Sequence, residues 1–182
     1  TPLILKKDGD KIRKISKRLD PEARMTYYEE KGYPIVALIE AIMTIANSNY
    51  EAWRENHPDA PFTDFEFSPK KMSASGALFD LDKLDNISRN YVSKLKATEV
   101  FALLDTWSKE YDKDFNELIN KYKDYTISVL NIEREQKKPR KDYGCLSEVK
   151  GQIWYMFDEL FTDVTYDFDS RFSKETIHEV IN

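Results

Sequence analysis

Apolar residues between positions 34 and 122 recur at three- and four-residue intervals, the spacing that gathers them on one face of a helix. Ile35, Leu38, Ile39, Ile42 and Ile45 predict an amphipathic helix over residues 34–48. Leu81, Leu84, Ile87, Tyr91, Val92 and Leu95 predict a second; Val100, Phe101, Leu104, Trp107 and Tyr111 mark the next stripe; Phe115, Leu118, Ile119 and Tyr122 mark another. Residues 125–135 read as a further helix ending before Pro139, and residues 146–161 as one with Val149, Ile153, Met156, Phe157 and Leu160 facing inward. A last helix opens at Ser173 as N-cap and carries Ile177, Val180 and Ile181. These stripes are core positions, not a cofactor lining.

Ahead of the helices the pattern is different. Leu3-Ile4-Leu5, a turn at Asp8-Gly9 and a return through Lys11 to Arg13 predict a hairpin, with too little apolar surface to stand alone and therefore packed on something, a part of a longer protein. Asp20 as N-cap, Pro21 in the first turn and Gly32 as stop predict one helix over residues 21–31. Residues 50–56 add a turn or two with Trp53 packing, and His57-Pro58 ends them; His57 reads as a loop residue with no visible partner. The alternation Phe65-Glu66-Phe67 allows a short strand. The fold class expected is mainly α: a small mixed α/β region over residues 1–95, then an all-α helical bundle over residues 96–182.

Composition narrows the classes. With 182 residues, 41% apolar and 13% aromatic, the chain can bury a real core. It has no apolar run near 20 residues and no signal-peptide pattern, so the expectation is a cytoplasmic protein that neither spans nor targets a membrane. The single cysteine, Cys145, excludes an intrachain disulfide, and His57 and His178 give no zinc spacing. The net charge of −5 is unevenly placed: residues 1–18 hold seven basic groups against Asp8 and Asp10. A second basic run contains Arg134, Lys137, Lys138, Arg140 and Lys141, relieved only by Glu135, while residues 157–170 carry five carboxylates and no lysine or arginine. A polyanion would be met at the two basic places and repelled at the acidic one.

The first basic segment carries candidate chemistry. In Lys14-Ile15-Ser16-Lys17-Arg18, two ammonium groups and a guanidinium surround one serine, an arrangement that can close on phosphate oxygens through charge-assisted hydrogen bonds. A solvated surface turn is the competing reading. The run KISKRLDPEA at residues 14–23 resembles the KMSKS signature loop of class I aminoacyl-tRNA synthetases in its glutamyl and glutaminyl form. YEEKGYP at residues 28–34 and KMSASGALFDLDKL at residues 71–84 resemble later segments of bacterial glutamyl-tRNA synthetases, in the same order. Lys71-Met72-Ser73-Ala74-Ser75 is nearer in letters to KMSKS, but Ala74 cannot supply the second ammonium. The likeness is strong to about residue 95 and rests beyond it on helical character. Helices after the loop separate the glutamyl from the glutaminyl form, which continues into β-barrels.

The resemblance implies the C-terminal part of an enzyme that joins glutamate to tRNA(Glu) through an ATP-derived glutamyl-adenylate. It implies Lys17 and Lys14 as catalytic residues holding departing phosphates, Ser16 as a further ATP-phosphate contact, and Arg18 in loop closure or tRNA binding. From their charge, Lys137, Lys138, Arg140 and Lys141 are the candidate tRNA contacts. ATP and Mg²⁺ are implied for the whole enzyme and no cofactor for this piece, which has no HIGH motif. The segment 14–18 is expected to be mobile, with no carboxylate cluster beside it. A helical interaction or adaptor domain with ordinary basic surface is the alternative.

Overall fold

The computed structural model describes residues 3–72, 76–162 and 173. Residues 1–152 form one compact unit and residues 153–182 another. The described residues are 58% helical with a small three-stranded sheet, which bears out the mainly α reading.

Strands β1 (Ile4–Asp8) and β2 (Lys11–Lys14) pair antiparallel with Asp8 opposite Lys11. The hairpin turn is therefore Gly9-Asp10, one residue later than the Asp8-Gly9 reading. Gly9 has φ of 60°, the left-handed value that a two-residue hairpin turn requires at its first central position. Strand β3 (Ala77–Leu78) pairs parallel to β1 through Ile4 and Leu5. The hairpin thus has a neighbour within the chain, while Ile12 on its other strand stays 64% exposed.

Residues 21–31 are not one helix. A 3-10 turn over Pro21–Ala23 is followed by extended Arg24 and then α1 (Met25–Lys31). The Asp20 side chain makes no cap hydrogen bond, because its carboxylate is engaged elsewhere. Gly32 does stop α1, in the left-handed conformation at φ 73°. A Cβ there would lie 2.7 Å from Leu146 Cβ and 2.8 Å from Trp107 Cδ1, so only glycine fits both the backbone and the space.

Helix α2 (Ile35–Ala46) packs on α4 (Leu81–Lys94) through Ala37, Leu38 and Ala41. The buried stripe is rotated from the one expected: Ile35 and Ile42 are exposed, because the small alanines permit the closer approach. Tyr28, Leu38, Ala41 and Leu84 form the core of this region, with Tyr33, Phe79 and Ile87 packed around it. Helix α3 (Tyr50–Asn56) presents Tyr50 and Trp53 to the edge of Phe65, at 5.0 and 5.4 Å. Residues 65–67 form no strand, since Phe65 is used as an inward wedge after a 3-10 turn. His57 is a loop residue as expected, but it has partners: its ring stacks on Trp53 and its Nδ1 lies 2.9 Å from the Trp53 carbonyl.

Asp80 caps α4 by accepting from the amides of Asp82 and Lys83. Helices α5 (Ala97–Tyr111), α6 (Lys113–Lys121) and α7 (Lys123–Leu130) pack together on Val100, Leu104, Phe115, Ile119 and Leu130. Two helices are shorter than the sequence suggests. α7 ends at Leu130, not 135, as the chain turns through Glu133 at φ 52°. Residues 146–161 break into a 3-10 turn at Leu146–Glu148, α8 (Val149–Ile153) and another 3-10 turn at Trp154–Met156. In the second unit Trp154 stacks on Phe161 at 5.3 Å. The helix expected from Ser173 onward lies outside the described residues.

Candidate functional site

The register of the hairpin sets the charge geometry of the first basic segment. Lys6 lies opposite Arg13, so alternation places Lys6, Asp8, Lys11 and Arg13 on one face. Two cations directly across a strand pair repel each other unless carboxylates intervene. Asp20 and Glu22 do so. Arg13 grips Asp20 in a bidentate pair, Nη1 to Oδ2 and Nη2 to Oδ1 both at 2.7 Å, and its Nε donates to Asp8 at 2.7 Å. Lys6 donates to Glu22 and, at 3.3 Å, to Asp20 Oδ1. Asp20 is only 1% exposed, and Arg13, with the Ser16 amide beside it, holds its carboxyl well below the usual carboxylate range. The same contacts raise Arg13, and the Glu22 hydrogen bond raises Lys6.

This carboxylate pair overturns the expectation that none would stand beside residues 14–18. Lys14 is the last residue of β2, and the Ile15 amide continues the sheet by donating to Ile4 O at 3.1 Å. The Ser16 amide donates to Asp20 Oδ2 at 2.7 Å, while Ser16 O accepts from the amides of Leu19 and Asp20 at 3.2 and 2.8 Å. Ser16 Oγ accepts from the Arg18 amide at 3.3 Å, a bond within the loop. Lys14, Lys17 and Arg18 are exposed, and none of the three makes an ion pair among the described residues. A fixed backbone therefore carries three solvent-facing cations, the arrangement that can receive phosphate oxygens.

The second basic segment divides differently. Arg134 is no surface cation: at 7% exposure it donates to Leu130 O at 2.8 Å, to Val92 O at 2.6 Å and to Leu95 O at 3.2 Å. It thereby closes the ends of α7 and α4 together, and burial lowers its pKa. Arg140 is exposed but shared between Asp142 at 3.1 Å and Glu133 at 3.5 Å. Lys137, Lys138 and Lys141 are exposed. Nothing in the run of letters distinguishes the buried arginine from its neighbours.

Elsewhere, Lys71 ends a 3-10 turn and its carbonyl accepts from the Ser48 amide, while residues 73–75 lie outside the described residues. Cys145 is buried, and burial pushes its thiol upward. Among the described residues no group of three or more His, Cys, Asp or Glu could hold a metal ion, and no helix is long and apolar enough to cross a membrane. The tie between residues before and after 95 is extensive: Ser88 Oγ donates to Gly144 O at 2.5 Å, Arg89 reaches Glu148 at 2.9 Å, and Trp107 Nε1 donates to Glu30 O at 3.1 Å.

No family model and no solved structure matches the chain. Its relatives are ligases named for tRNA. The glutamate–tRNA ligase of Clostridium perfringens (strain 13) is 46% identical over 164 residues, 90% of this chain and 30% of that protein. That of Clostridium beijerinckii is 44% identical over 160 residues, 88% and 29%; that of Sorangium cellulosum is 39% identical over 158 residues, 87% and 28%. The chain belongs, over the segment they share, with the bacterial glutamate–tRNA ligases, and it spans about 30% of the length of the relatives it matches.

Proposed function

We propose that this chain is the portion of a cytoplasmic glutamate–tRNA ligase that holds reacting phosphates and part of the tRNA. Residues 1–95 carry the signature loop and a stem-contact region, and residues 96–182 a helical anticodon-binding subdomain. The observation that supports the phosphate role is the loop at 14–18, where a backbone hydrogen-bonded at both ends leaves Lys14, Lys17 and Arg18 facing solvent. Charge builds on the departing pyrophosphate as glutamate attacks the α-phosphate of ATP. Lys17, assisted by Lys14, stabilises that charge, and preorganised cations do so without reorganising at the moment of reaction. Ser16 holds the turn through its hydroxyl, and Arg18 is left for tRNA or for loop closure.

The residues present fit phosphate oxygens and do not fit Mg²⁺. Asp20 and Glu22, the carboxylates beside the loop, are committed to Arg13 and Lys6. The chain alone, without a nucleotide-binding βαβ pattern, does not activate glutamate; it retains salt-sensitive tRNA binding through Lys137, Lys138, Arg140 and Lys141. The test of the phosphate role is ATP–pyrophosphate exchange by the intact ligase. Lys17→Ala should depress it by about 2–4 kcal/mol of transition-state stabilisation, the size seen when a preorganised donor is removed. An unchanged exchange rate would remove Lys17 from the reaction.

A further inference from the structure

We propose that Asp20 is a positioning residue, fastening the 14–18 loop to the protein core so that its cations are set for a phosphate chain before one arrives. The inference rests on the reading of this loop as a phosphate binder.

Three observations carry it. Asp20 uses both carboxylate oxygens, taking the Ser16 amide and Arg13 Nη1 on Oδ2, and Arg13 Nη2 and Lys6 on Oδ1. Each of these partners belongs to the hairpin or the loop, so one buried side chain joins β1, β2 and the turn. Next, the turn that carries Asp20 is itself anchored: Tyr28, a core residue, donates from its hydroxyl to Glu22 O at 2.6 Å, and Glu22 returns to β1 through Lys6. Finally, the cations of the loop that face solvent are not among the partners of Asp20. Arg13 and Lys6 neutralise the carboxylates, while Lys14, Lys17 and Arg18 keep their charge for a ligand.

The arrangement separates two jobs that a cluster of seven positive groups would otherwise confuse. Self-repulsion would spread the loop, and a phosphate would have to gather it at the cost of ordering the chain. A loop already held by Asp20 avoids that ordering.

Binding of inorganic tripolyphosphate to the 182-residue chain, followed by amide shifts in ¹H–¹⁵N spectra, tests the idea. The unsubstituted chain should bind through Lys14 and Lys17, with Lys17→Ala about tenfold weaker; Asp20→Asn should bind about 10- to 100-fold weaker, the size of a charge-assisted hydrogen bond. Core amides of α4 and α5 should keep their shifts. If the unsubstituted chain and Lys17→Ala bind equally, the phosphate reading itself fails. If Lys17→Ala weakens binding and a folded Asp20→Asn does not, Asp20 has no positioning role. Should Asp20→Asn not fold, hydrogen exchange of the Ser16 amide in the unsubstituted chain decides: slow exchange supports the fastened loop, and exchange at the rate of an unstructured amide overturns it.

Discussion

Two stretches concentrate positive charge, residues 11–18 and residues 134–141, and the fold uses their members in different ways. In the first, the arginine at 13 is drawn onto a buried carboxylate, and the loop behind it is held while lysines face water. In the second, the arginine at 134 is drawn onto backbone carbonyls at two helix ends, while the exposed Arg140 side chain is shared between Glu133 and Asp142. Both segments spend an arginine on structure and leave lysines exposed. The chemistry explains this: a planar guanidinium offers several donors in a fixed fork, suited to bidentate carboxylates or clustered carbonyls, whereas an ammonium on a flexible stem keeps its hydration. The difference lies in what the arginine orders. Arg13 orders a loop that carries cations; Arg134 orders the helices beneath one.

The largest effect that would sharpen this contrast is on stability. Arg134→Met should cost about 3 kcal/mol, since three carbonyls, two of them in buried contacts, are left without a charged donor. Arg140→Met removes two exposed pairs and should cost less than about 1 kcal/mol. Urea denaturation followed by circular dichroism measures both, and equal costs would break the distinction between the two arginines.

An acid titration probes the first segment. The folded-state pKa of Asp20 is depressed, so its stabilising contribution is complete above the ordinary carboxylate pKa and disappears only as pH falls well below it. Asp20→Asn should therefore be less stable than the parent at neutral pH, with the gap narrowing towards the acid end of a melting series. A gap that is constant from pH 7 to pH 2 would show that Asp20 acts by shape rather than by charge.

Much of this fold was legible. The stripes of α4, α5 and α6 follow from periodicity because each helix packs one face on a neighbour. Gly9 and Gly32 announced their turns because glycine alone enters the left-handed region freely. What escaped depends on partners outside the motif that announces each element. Asp20-Pro21 has the letters of a helix start, yet Arg13 and Ser16 compete for the carboxylate and win. Arg134 looked like one cation among five, since its carbonyl partners at Val92 and Leu95 leave no mark in the letters near it. The rotated face of α2 escaped for a similar reason: only the approach of α4 selects Ala37 and Ala41 over Ile35 and Ile42. Of the candidate site, the exposed cations were visible and their scaffold was not; strand alternation placing Lys6 with Arg13 was the signal available for it.

The next effect in size concerns anion selectivity between the segments. Tripolyphosphate is compact and rewards cations that already converge, so Lys17→Ala should lower its affinity about tenfold while Lys138→Ala leaves it unchanged. Calorimetric titration of the two variants compares them directly. A larger loss at Lys138 would move the phosphate site to the second segment and reverse the assignment.

The smallest effect is expected where the charge is least organised. tRNA is a long polyanion, and each phosphate contact releases condensed counterions whether or not the protein cation is held rigidly. Lys137, Lys138 and Lys141 stand on an exposed turn beyond α7, so their contribution should be electrostatic and nearly independent of geometry. Reversing them singly to glutamate should weaken tRNA binding only a few-fold at moderate salt and reduce the slope of log affinity against log salt by about 0.7–0.9 for each phosphate no longer neutralised. Arg140→Glu should do the same and also set a third acid beside Glu133 and Asp142, so its effect includes a local rearrangement that the lysine variants lack. Filter binding at several salt concentrations measures slope and affinity together. Unchanged slopes in all four variants would place the RNA surface away from this turn, and the second basic segment would then be a solvated loop above a structural arginine.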